Sequence, residues 1–526
     1  MTKYLINRIL RSLLSVIIVV AIVMVMIYSW LNRDLIFKAD PQFSHVKSNA
    51  KEVYMMQQWE KYGYVDYVPY ADWLKDLVKS GELDQETYAT AVKFGNTAEK
   101  DNDTAAQYIA RFQEEMEAKG YQFKRLEGNT MGKKQNKYHA GGEPRVYAYR
   151  DIPVLSRLWN YFTGLVKVDN IHYVEEDIGE RGLTFTLFDP AYGGDKFSPA
   201  IIGNGTQHKY LLYFDDQFPY VHQNLVTINL GSSYSINKGI DVFETMTQTQ
   251  GSFAYSSVTY PSGVVEESAD NVHSATYVAG SFENGTPVIK NCFVDDYTNV
   301  SVYKQGLSKM GYSFTLGIIA VALTYLLAIP LGITMALRKD KLVDKLGTFY
   351  IVFITAVPSL AYIFLFKSLG GKIGLPTTFD MEKPTWLMYV LPIISLALPS
   401  IANLMKWLRR YMIDQMNADY VKFARSGGLS EGEIFSKHIL KNAIIPVVHG
   451  IPGSILGALT GAIITERVYV VPGVGDMLTR AIGAYDNGVI VGMVLFYALL
   501  TVTSIILGDV LMSLLDPRIS FTAKAR

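Results

Sequence analysis

NADYVKFARSGGLSEGEIFSKHILKNAIIP, residues 417–446, stands between two long uncharged runs. Its centre is Gly427-Gly428, where the backbone can take positive φ without a Cβ clash. The pattern predicts a short helix over 419–426 before that corner. After it, Ser430 and Glu433 have the S-x-x-E spacing of a capping box. Glu433, Lys437 and Lys441 then recur at i, i+4 and i+8, acid first, on one helical face. Phe435 and Ile439 mark another. The stretch therefore reads as a helix, a glycine corner and a second helix at a membrane boundary.

Working outward, the formal net charge of zero hides a split. Residues 33–309 carry 27 Lys+Arg and 36 Asp+Glu, a net of −9, so the remainder (22 and 13) is +9. A basic excess in short loops beside apolar runs points to a membrane rather than to nucleic acid. Residues 12–32 are uncharged after Lys3, Arg8 and Arg11, and bulky residues follow where a signal peptidase would need small ones. Five more uncharged runs cover 310–337, 346–366, 384–405, 442–465 and 487–508. Each is long enough to cross a bilayer core. Six spans with an inside N-terminus put 17 Lys+Arg in the inner regions and five in the two short outer loops. The same count leaves 33–309 outside.

That segment is polar and tyrosine-rich. Helices are expected over 84–94 and 103–119, the second capped by Asp103 or Thr104. Strands are expected over 183–188, 210–214, 226–235 and 252–260. The expectation is an α+β domain resting on its own core, because Cys292 is the only cysteine and no internal disulfide can form. In the fifth run, Gly453, Gly457 and Gly461 recur every four residues, as in close helix packing in lipid. Pro446 and Pro452 are expected to bend that helix.

The 417–446 stretch resembles the cytoplasmic coupling loop of permease subunits in binding-protein-dependent ABC importers. That pattern is E-A-A-x-x-x-G, with a proline entering the next span. Lys422, Phe423, Ala424 and Gly428 match it, with Pro446, but the acid is missing. The peptide-importer branch is closer, with Tyr420-Val421-Lys422, Ala424-Arg425, Gly428-Leu429-Ser430, His438, Leu440, Asn442-Ala443 and Pro446 in register. Residues 465–519 are similar to a second motif of that branch, through Glu466, Val468, Tyr469, Pro472-Gly473, Gly475, Leu478, Ala481, Asp486 and Asp516-Pro517-Arg518-Ile519. Tyr469 replaces the usual Phe, and the leucine comes one residue late. A third likeness, to D-L-G-x-S, lies in INLGSSYSINKGIDVF, residues 228–243, with Asn229 in place of the acid.

The resemblance implies an α-helical membrane protein of type I importer fold. It would have six transmembrane helices and a large α+β extracellular domain inserted between the first two. The implied division is 1–32, 33–309 and 310–526, with the coupling loop at 406–441. It implies a plasma-membrane permease importing oligopeptides delivered by an extracellular, tethered substrate-binding protein. Its partners would be a second permease subunit and two ATPase subunits. Tyr420, Lys422, Phe423, Ala424, Arg425, Gly428, Leu429, Ser430 and Glu433 would form the contact with the ATPase. Pro446, Gly453, Gly457, Gly461, Glu466, Pro472, Gly473 and Gly475 would shape the pore and its packing.

The chain has no G-x-x-x-x-G-K-[ST] loop; Gly128–Lys134 fails in spacing and last residue. ATP and magnesium would therefore bind the partner subunits, and no cofactor, catalytic group or metal site is expected here. The alternatives are a membrane-anchored peptide receptor or sensor, a cell-wall enzyme, and an importer for nickel or another small solute.

Overall fold

The computed structural model describes residues 2–46, 48–96, 102–126, 145–189, 194, 197–215, 220–250, 256–259, 265–268, 273, 276–277, 306–381, 383 and 385–515. Cys292, Gly128–Lys134 and the Asp516–Ile519 motif lie outside them.

Among the described residues, four helices are long and apolar enough to cross a membrane: Ile6–Trp30, Lys309–Leu337, Trp386–Met416 and Asn487–Leu514. Two bent pairs make six if each is one span: Leu342–Ala356 with Ser359–Lys372, and Glu431–His449 with Ile451–Tyr469. The first pair departs from the straight span expected over 346–366, because the chain turns by 105° there. Pro358 supplies the reason. The residue before a proline is driven out of the α region, and Val357 is extended at φ −85°, ψ 127°. The second pair bends by 41° between His449 and Ile451. Pro446 sits inside the first of its helices and accepts a bond from the Gly450 amide at 3.2 Å. The bend is therefore at Gly450-Pro452, not at Pro446.

The helices Lys309–Leu337 and Val390–Met416 form the centre of the bundle. Leu316, Ala320, Met335, Leu396, Ala397 and Met405 are buried between them and their neighbours. At the end of the bundle that carries the 417–446 stretch, the Arg409 guanidinium holds Asp344 with two bonds of 2.6 and 2.7 Å, fixing the loop before the bent pair. The first helix packs along the last through Val16, Val20, Met24 and Ile27. Arg8, near the start of the first, pairs with Asp509, near the end of the last. Most of the first helix's other side chains are exposed, as expected of a helix whose remaining surface faces lipid.

Between the first and second long helices the chain folds as α+β. Strands β1 (Val65–Pro69), β2 (Gln122–Arg125) and β3 (Val146–Asp151) make an antiparallel sheet in the order β1-β3-β2. Helices Tyr70–Lys79, Gln85–Asn96 and Asp103–Ala118 pack on it through Tyr70, Trp73, Leu74, Ile109 and Phe112. Asn102, one residue before the expected caps, caps the last of these by accepting from the Ala105 amide at 2.8 Å. Strand β4 (Val166–Val168) pairs with β9 (Val226–Ile228). Between them run β5 (Gly182–Thr186), β6 (Ala200–Asn204), β7 (Tyr210–Asp215) and β8 (Tyr220–Gln223) as a four-stranded meander. The short ribbon of β10 (Ser256–Thr259) and β11 (Val265–Ser268) follows. The strand expected over 226–235 stops at Ile228, because the next residues form a turn whose amides bind elsewhere.

Candidate functional sites

The first site is the 417–446 hairpin. Helix Asp419–Ser426 ends at Gly427, and Gly428 takes φ +81°, the left-handed region that glycine adopts freely. Arg425 clips the corner with two bonds to Glu431, at 2.6 and 3.0 Å. The capping box is formed: Ser430 Oγ accepts from the Glu433 amide, and Glu433 accepts from the Ser430 amide, both at 3.3 Å. Lys437 pairs with Glu433 at 3.3 Å.

Beyond that pair the expected phase is lost. Residues Ile434–Leu440 are π-helical, a wider turn than the α-helix. Ile434 and Ile439, five apart, become the buried positions, with Ala443 and Val447 after them. Phe435 is only partly buried, and the single face expected to reach Lys441 is re-phased. Tyr420 joins the two arms. Its hydroxyl accepts from Asn442 Nδ2 at 3.1 Å and donates to Gln415.

The inner face of the hairpin, Val421, Ala424, Ile434 and Ile439, rests on Ala336, Leu408 and Met412 of the bundle. Its outer face carries Phe423, 79% exposed, and Leu429, 38% exposed, with the cations of Lys422 and Arg425 beside them. The clipped, capped corner thus holds two exposed apolar side chains outside the bundle.

The second site is the other end of the bundle. Glu466, near the end of helix Ile451–Tyr469, is fully buried. It accepts from Ser313 Oγ at 2.5 Å and from the Asp476 amide at 3.0 Å. The Pro472–Gly475 turn folds over it. A Cβ at Gly473 would overlap the Glu466 carboxylate, and one at Gly475 would lie 2.6 Å from Ile463 Cα and 2.8 Å from Glu466 Oε2. Those two glycines are needed for close approach. Ser313 Oγ also accepts from the Val474 amide at 3.0 Å.

At Gly453 and Gly457 the glycine stripe makes no tight contact with another helix among the described residues. An ideal Cβ at Gly453 meets only Ser504 Oγ at 3.9 Å, and at Gly457 it meets nothing within 4 Å. Gly461 lies in the same helix.

Sequence reading missed what joins the 465–519 motif to the weak likeness at 228–243. Asp486, fully buried, receives four donors on Oδ2: Ser233 Oγ and Ser235 Oγ at 2.9 Å, and the Tyr234 and Ser235 amides at 2.8 Å. Its Oδ1 accepts from Val489 at 3.2 Å. Gly488 lies so close that a side chain there would overlap the Ser232 carbonyl. The 228–243 stretch is thus the seat of Asp486, some 250 residues away.

Comparison with known proteins decides the family. The model for "binding-protein-dependent transport system inner membrane component" matches residues 328–521. The oligopeptide transport system permease protein AmiC of Streptococcus pneumoniae is 34% identical over 530 aligned residues, covering 100% of this chain and 99% of the relative. The chain belongs to the binding-protein-dependent transport permeases. The dipeptide transport system permease proteins DppB of Lactococcus lactis and Bacillus subtilis are 31% and 29% identical. They align over 42% and 40% of this permease and over 73% and 68% of their own lengths. Membership carries the importer-permease fold with several apolar helices. The family is the membrane component of its transport systems, not their ATPase.

Proposed function

We propose that this permease imports oligopeptides as the membrane subunit of an ABC importer. The observation that carries the reading is the end-to-end alignment with an oligopeptide permease, including the long segment between the first two apolar helices. Six spans, with both bent pairs crossing, leave that segment on the outer side and the 417–446 hairpin on the inner side. Phe423 and Leu429 then dock on an ATPase subunit, and the clipped corner passes its movement to Leu408 and Met412 of the bundle. A second permease subunit, two ATPases that bind ATP and magnesium, and a tethered substrate-binding protein complete the assembly.

The face of Gly453 and Gly457, on which no other described helix packs tightly, suits the pore or the second permease, with Gly461 on the same helix. Residues 33–309 surround the outer entrance and receive the binding protein. The exposed Leu183, Phe185 and Val221 of strands β5 and β8 suit that contact, as does the segment's acidic balance. The test is uptake into proteoliposomes holding the whole complex. Labelled peptide should accumulate only with ATP and the binding protein. Accumulation of nickel in place of peptide would replace the substrate assignment.

A further inference from the structure

Helix Val154–Gly164 lies across the outer ends of the first and last long helices, with Leu158, Tyr161 and Phe162 packed on their shared cluster. One flank carries Leu155, 77% exposed, and Trp159, 71% exposed, one turn apart and turned away from Arg157. Beneath the helix is a cavity of about 250 Å³. Met24 and Val491, from the two membrane helices, form its apolar floor; Arg157, Lys61, Tyr62 and Tyr161 supply its polar wall.

Arg157 is the unusual group. It is 9% exposed, and its guanidinium stands 3.7 Å from the Tyr28 ring centroid and 3.9 Å from that of Tyr64. Ring faces stabilise the charge but do not satisfy the N–H donors. Among the described residues no carboxylate pairs with it, and its guanidinium lies against the rings of Tyr28 and Tyr64. Asp486 is close by, but its carboxylate is held by the Ser233–Ser235 turn. A buried cation without an anion is costly, and this one borders a cavity.

Depth decides the ligand. Tyr28 is in the last turn of the first membrane helix, and Met24 is one turn deeper. Arg157 therefore sits at the level where a bilayer places its phosphates. The cavity has room for roughly eight waters, at about 30 Å³ each. That fits a phosphate with part of its ester, not a whole lipid, so the chains would lie outside the cavity, in the bilayer. We propose that Arg157 and Lys61 bind the phosphate of an anionic phospholipid of the outer leaflet, and that this lipid seats the 33–309 segment on the bundle.

The test uses the full-length protein, stripped of lipid in detergent and followed by thermal stability and native mass spectrometry. Dioctanoyl phosphatidylglycerol, dioctanoylglycerol and glycerol phosphate are titrated separately. The phosphatidylglycerol should be retained and raise the unfolding temperature; the other two should not. Arg157→Gln should bind it roughly ten- to a hundredfold more weakly, the range for hydrogen bonds to a charged group. Lys61→Gln and Asn160→Ala, at exposed residues that line the cavity, should each weaken it severalfold while leaving the protein folded. Equal retention of dioctanoylglycerol, or an equal effect of glycerol phosphate, would overturn the lipid assignment. So would unchanged affinity in Arg157→Gln or, if that variant does not fold, in both of the others.

Discussion

Replacing Asp486 with asparagine tests whether one carboxylate holds the 229–241 turn on the last membrane helix. The shape is kept and the charge is lost. Oδ2 now receives two amides and two hydroxyls at 2.8 to 2.9 Å. An amide oxygen has two lone pairs, so it can keep the Tyr234 and Ser235 amides while both serines lose their acceptor. The bonds it keeps are neutral and about half as strong. The new NH₂ group would also face the Val489 amide, which now donates at 3.2 Å. An unsatisfied buried donor costs about 1–3 kcal/mol; with serine hydroxyls free to turn, the sum is about 2–5 kcal/mol. At 1.4 kcal/mol per factor of ten, the turn should open at least ~30 times more often. Hydrogen exchange of the Tyr234 and Ser235 amides reads this directly. Exchange within about threefold of the unaltered protein would show that the carboxylate does not hold the turn.

Three other outcomes follow from local geometry. Gly475→Ala places a methyl group 2.6 Å from Ile463 Cα and should destabilise the turn by about 1–3 kcal/mol; thermal unfolding at the unaltered temperature would contradict this. Val470, a β-branched residue at φ 58°, is strained in the left-handed region by about 1–2 kcal/mol, so Val470→Gly should raise the unfolding temperature, and a fall would count against strain there. Burial pushes the Asp40 carboxyl up, but Lys238 and Tyr54 outweigh it and hold it below 3.8. A depressed carboxyl stabilises above its unfolded value and loses that contribution as pH falls through its folded one. Acid should therefore loosen the Asp40–Lys238 contact (2.9 Å) below about pH 4, and Asp40→Asn should flatten that part of the pH profile of protease resistance.

What was legible in the sequence was local. Gly428, the capping box and the helix over 419–426 are set by residues within a few positions of one another, so spacing alone revealed them. Pro358 was equally local, and the rule that ends a helix before proline gives the 105° turn; an uncharged run conceals it because hydropathy ignores backbone geometry. The π-helical turn was not legible, since Ile434 and Ile439 fit no α-helical face until the wider turn is known. Asp486 lay in a strong motif and Ser233–Ser235 in a weak one, but their contact spans some 250 residues. Arg157 looks like any surface arginine until folding places it against Tyr28 and Tyr64.

The central claim is that the 417–446 hairpin passes the energy of ATP hydrolysis to the pore. Phe423 and Leu429 are exposed, so Phe423→Ser with Leu429→Asp leaves the hairpin's own packing intact. A charge in a desolvated apolar contact would cost about 2–5 kcal/mol. The measurement is ATP-driven peptide uptake by the double variant in proteoliposomes with its partner subunits. The double variant should be a folded, membrane-inserted permease with uptake lost. Uptake at the unaltered rate would contradict it.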